Sequence, residues 1–163
     1  MSLKIHLPLI FIKYTHYEIM KKVNFFKERN EGKRIMNMKY SNLLLRLSAI
    51  FGLIGAAMGG HMAGSYDYAY KPVHAHILVV GWLSIFSWAV YYRVFQPTAK
   101  ILSALHVYTA IIGVVGLTAG MALNIFNFLP RAVNLIVYIG GGATLLLSFS
   151  LFCLLVFTQK TNK

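Results

Sequence analysis

Four uninterrupted apolar runs constrain this chain more than any other feature. Residues 41–63, 73–95, 100–123 and 132–157 are each long enough to cross a ~30 Å hydrocarbon layer as a helix rising ~1.5 Å per residue. Their apolar residues are continuous rather than alternating, which is the pattern of membrane helices and not of half-buried strands. Composition agrees: 58% of residues are hydrophobic and 12% charged, against roughly 25% charged in an ordinary soluble domain. The three connections are short, so neighbouring helices should alternate in direction. The expected fold is therefore all-α, an integral membrane up-down four-helix bundle. Pro72, Pro97 and Pro130 support the boundaries, because each falls at a helix start or in a connection, where a missing N–H costs little.

Charge gives the expected orientation. The net charge is +12, and nine of the sixteen Lys and Arg lie within residues 1–40. The others sit singly near the ends of apolar runs, as in membrane proteins. They suit an anionic lipid surface, and nucleic acid is not an expected partner. Lys39 and the leader, the Arg93–Lys100 loop, and Lys160 and Lys163 in the tail (158–163) share one side. The positive-inside rule makes that side cytoplasmic for both termini, in a bacterial inner membrane. Residues 1–40 read as a basic N-terminal extension. "IHLPLIFI" is too short to span, and "EGKRIM" is compatible with a purine-rich stretch ahead of a start codon. The reading therefore includes a start at Met36 or Met38; a genuine leader would rest on the inner leaflet.

Glycines mark where helices could touch. Gly52, Gly55, Gly59 and Gly60 lie on the first run with Ala56, then Gly113, Gly116 and Gly120 on the third and Gly140, Gly141 and Gly142 on the fourth. Small residues let backbones approach in lipid, and they would equally make room for a flat cofactor. Tyr66, Tyr68 and Tyr70 before the second run, and Tyr91 and Tyr92 at its end, are expected at the two interfaces. Cys153, the one cysteine, is expected to be buried and inert. Arg46 is expected to snorkel.

An ionisable residue in a membrane segment is a candidate functional group. Of six histidines, His6 and His16 fall in the leader and receive no role; His61, His74, His76 and His106 lie in or beside the runs. His61 closes the first run while His74 and His76 open the second, so these three share the outer face. His106 is expected on the order of 15 Å away along the membrane normal, counting ~1.5 Å per residue. His74 and His76 point about 200° apart on a regular helix and cannot chelate one ion together. The pairing suited to chemistry is His61 with His76 or His74: two imidazoles on adjacent helices at one depth would hold a b-type haem, with Met62 as another axial candidate. Copper fits less well, although His and Met suit Cu(I). No Asp or Glu lies inside a run, which disfavours a carboxylate-based pump. No Walker loop, HExxH site or catalytic triad pattern is present.

The stretch "HAHILVVGW", followed by "YYR", resembles a pattern in small four-helix bacterial membrane proteins grouped with subunit I of the haem-copper (cytochrome c and quinol) oxidases. The resemblance covers about residues 40–157. It implies that His76, or alternatively His74, is an axial ligand of a low-spin haem. In small relatives a second histidine follows His106 by one turn, where this chain has Ala110. The chain has far fewer helices than an oxidase subunit and no copper triplet, so oxygen reduction by it alone is not expected. The expected function is haem b binding near the outer face, for electron transfer or diatomic-gas response, possible as a homo-oligomer or with a respiratory-chain partner. The alternative is a non-catalytic accessory or assembly protein of a respiratory complex. The candidate cofactor residues are His76, His74, His61 and His106, with His76 and His61 as iron ligands.

Overall fold

The computed structural model describes residues 6–126 and 130–159, with side chains over 17–125 and 130–159. Lys160 and Lys163, and the side chains of His6 and His16, lie outside the described residues. The described residues are all helical apart from short connections, with no strand. The helices are α1 (His6–Ser65), α2 (Lys71–Phe95), α3 (Lys100–Phe126) and α4 (Arg131–Thr158). Each is long and apolar enough to cross a membrane.

Two compact units divide the chain, residues 1–36 and 37–163, and the division falls within α1. The sequence suggested a first helix from residue 41, but helical backbone begins at His6. The reason is local. Between Pro8, tolerated in the first turn, and Gly52, only Gly32 weakens a run rich in Lys, Glu, Met, Leu and Ile. Within residues 17–36 the side chains are exposed or half-buried, and Arg29 lies 5.9 Å from the Phe26 ring centre.

The second unit has a core, and its boundary is visible on α1. Asn37, Ser41, Leu44, Ser48, Phe51 and Gly55 are buried, then half-buried Met58 and buried Met62. Their spacing alternates between four and three, the heptad repeat of a helix that keeps one seam against neighbours. The glycines of this seam receive side chains from α2. A methyl group on Gly52 would sit 3.0 Å from Trp82 Cδ1, one on Gly59 3.0 Å from His74 Cε1, and one on Gly55 would collide with Leu78. Gly81 of α2 returns the arrangement to Phe51, 2.5 Å from such a methyl.

The α3–α4 seam is closer. Added methyl groups at Gly113 and Gly120 would come within 2.5 Å of the Leu145 nitrogen and 2.6 Å of the Tyr138 Cα, and at Gly141 one would strike the backbone of Gly116 and Leu117. Here backbone meets backbone, as small residues permit. Gly60 and Gly140 face open space, so only part of the glycine set serves packing.

In α2, residues Ile77–Ser84 wind as a π-helix. Val73, Ile77, Gly81 and Ile85, each four apart, are all buried. A regular helix would turn that series about 120° off its face over three steps of ~40°. The wider i→i+5 winding holds it in place, and Ser84 Oγ donates to the Val79 carbonyl five residues back, at 2.9 Å. The face of a uniform helix is therefore broken midway along α2.

Two residue placements depart from expectation. Tyr91 and Tyr92 are buried, at 8% and 0% exposure, and belong to the core rather than an interface belt. Cys153 is exposed on α4. Both follow from rotation about a helix axis, which an uninterrupted apolar run does not encode. Large apolar side chains cover the outside instead, including Leu53, Ile101, Ile136, Leu146 and Phe157. In a lipid-facing surface such exposure is the normal condition; in water it would be an aggregation hazard.

Candidate functional site: two histidine environments

The histidines occupy contrasting surroundings. His61, near the end of α1, is exposed and lines a cavity of about 680 Å³ among α1, α2 and α3. Met58 and Met62 share this wall; they lie one turn apart on α1, and Met58 is also one turn from His61. Phe51 and Val73 add apolar surface, and α3 contributes Thr118, whose hydroxyl donates to its own Val114 carbonyl at 2.8 Å. Among the described residues, His61 is the one imidazole in the cavity's lining, which includes no carboxylate or thiol. The volume lies within the roughly 300–1,000 Å³ of small-molecule and cofactor sites.

The other two end histidines do not join it. His74 is half-buried in the notch over Gly59, with Nδ1 enclosed and unpartnered. His76 is half-buried, and its Nδ1 lies 2.8 Å from the Pro72 carbonyl. A carbonyl can only accept, so Nδ1 carries the proton of this hydrogen bond. Neither ring lines the His61 cavity. The expected His61–His76 and His61–His74 pairings are therefore not assembled there. Among the described residues, no group of three or more His, Cys, Asp or Glu side chains could hold a metal ion.

His106 is the opposite case. It is fully buried, edge-on to Trp88 with ring centres 4.8 Å apart, stacked on Tyr92 at 5.8 Å and tilted against Phe152 at 5.3 Å. Its Nδ1 is 2.8 Å from Tyr92 Oη, and Tyr92 Oη donates to the Ser103 carbonyl at 3.2 Å. One arrangement satisfies all three groups: His106 Nδ1–H donates to Tyr92 Oη, and the Tyr92 hydroxyl donates to Ser103. Nε2 is then a buried lone pair without a partner. The surrounding aromatic rings leave a planar cofactor no room, which sets His106 apart from the other candidates.

Reasoning from sequence missed Tyr92, Ser103 and Trp88 as partners of His106. The available signal was the i, i+4 spacing of Trp88 and Tyr92, which stacks them on one helix face. No family model matches the chain, and no curated protein and no solved structure proved similar to it.

Proposed function

We propose that the chain is a multi-pass protein of a bacterial inner membrane that binds b-type haem in the cavity beside His61. In this reading the helices form an up-down bundle with both termini cytoplasmic. The order of contacts supports it: Asn42 meets Arg93, Gly52 meets Trp82 and Gly59 meets His74, so positions rising along α1 meet positions falling along α2. The observation that carries the haem reading is the cavity itself, apolar, of cofactor size, and bearing one imidazole.

The residues fit a haem held from one side. His61 would supply the iron ligand, and the apolar walls would exclude water. Bound haem would bring a redox-active iron able to take a diatomic gas. Met58 and Met62, on the same helix as His61, would form part of the apolar wall. One imidazole thus favours gas response over the bis-histidine electron transfer that the "HAHILVVGW" resemblance implies.

Expression with haem supplementation, purification in mild detergent and oxidised and reduced visible spectra test this. A Soret band lost in His61→Ala and kept in His76→Ala is the expected result. Folded, colourless protein overturns the reading, as does a band that depends on His76 and not on His61. A second reading, a non-catalytic accessory membrane protein, draws on the contacts of His74 with Gly59 and His76 with Pro72, which give both rings a structural role.

A further inference from the structure

A second crevice lies between α1 and α2 near the Pro97 end, well along both helices from the His61 cavity. Its volume is about 250 Å³, with Asn42 and Arg93 at one end and Leu45, Phe86, Ala89 and Val90 along the rest. Apart from Ala89, these side chains are exposed. Arg93 Nη1 donates to Asn42 Oδ1 at 3.3 Å, which fixes the guanidinium across the mouth and leaves most of its five N–H groups free to donate elsewhere. Arg46, also exposed, does not line the crevice but is one turn on from Asn42, on the same face of α1.

Charge and polarity identify the occupant. Between residues 37 and 163 the only acidic side chain is Asp67, in the α1–α2 connection, at the other end of the helices from Arg46, Arg93, Lys39 and Lys100. Cationic side chains at the headgroup level, between membrane helices on the cytoplasmic side, recruit anionic lipid. Guanidinium matches a phosphate with paired donors in a way ammonium does not. The crevice has the polarity of an amphiphile: cationic near the helix ends, apolar further in.

We propose that this crevice binds an anionic phospholipid, its phosphate on Arg93 and Arg46 beside Asn42 and one acyl chain along Leu45, Phe86 and Val90. The inference rests on the membrane-spanning part of the preceding reading and is independent of haem. The full chain, delipidated in detergent, is titrated with phosphatidylglycerol or phosphatidylcholine and counted by native mass spectrometry. One phosphatidylglycerol should be retained about tenfold more tightly than phosphatidylcholine. Arg93→Gln should abolish the preference, Arg46→Gln weaken it, Arg93→Lys retain part of it, and Arg131→Gln, at the opposite end of the helices, leave it intact. Equal retention of both lipids overturns the proposal, as does a preference that survives Arg93→Gln or is displaced by inorganic phosphate alone. Membrane fractionation separates the two levels. A chain that stays out of membranes ends the membrane-spanning reading; an integrated chain without lipid selectivity ends only this inference.

Discussion

The α3–α4 seam and the α1–α2 seam solve the same packing problem differently. Between α3 and α4 the glycines bring backbone onto backbone; between α1 and α2 they make notches that accept Leu78, Trp82 and His74 side chains. Backbone cannot yield, whereas a side-chain tip can rotate. The first pair is therefore a fixed wall. The second is adaptable, and both the cavity at His61 and the crevice at Arg93 draw lining from α1 and α2. Both openings border the softer seam.

Substitutions can break that comparison. Gly141→Ala should cost most, about 3 kcal/mol of unfolding stability, because the methyl group meets the backbone of Gly116 and Leu117. Denaturant titration in micelles would show it, and a loss under about 1 kcal/mol would mean the seam can open. Tyr92→Phe should come next, at about 2 kcal/mol, since it strips His106 Nδ1 of its partner in a dry interior. His106→Phe in that background should then cost much less than it does alone, because the two residues share one interaction. Gly55→Ala should cost about 1 kcal/mol, as Leu78 changes rotamer to clear the methyl group. Equal losses at Gly55 and Gly141 would erase the distinction between the seams. The smallest effect has the opposite sign: Gly140→Ala, facing open space beside Gly141, should stabilise by about 0.5–1 kcal/mol through helix propensity alone.

Much of the fold was legible because hydrophobic length and proline position are one-dimensional signals. Pro72 enters the first turn of α2 and Pro130 caps α4, where the sequence placed them. What could not be read was rotation about each helix axis. In a soluble helix the polar face reveals it, but a helix apolar on all sides carries no such mark. Tyr91, Tyr92 and Cys153 were misplaced for that reason. The candidate site was legible in part: four histidines stood out as costly residues, and His61 does line a cavity. That His76 turns to Pro72, and that His106 closes against Tyr92, depended on neighbours from other turns and other helices.

The π-wound stretch Ile77–Ser84 has a consequence for how α2 can change. It works as a phase shifter, letting the half with His74 and His76 and the half with Trp88 and Tyr92 each keep its own angular setting on one rod. Removing one residue from the stretch, Val79 for example, would let a regular α-helix form with the two halves keeping nearly their present angular relation. Rewinding the same residues as α-helix would instead turn one half against the other by about 100°. The aromatic knot could stay where it is while both terminal imidazoles swung to new neighbours. The two ends of α2 thus keep separate angular settings, and the end with His74 and His76 can be re-aimed without repacking the other.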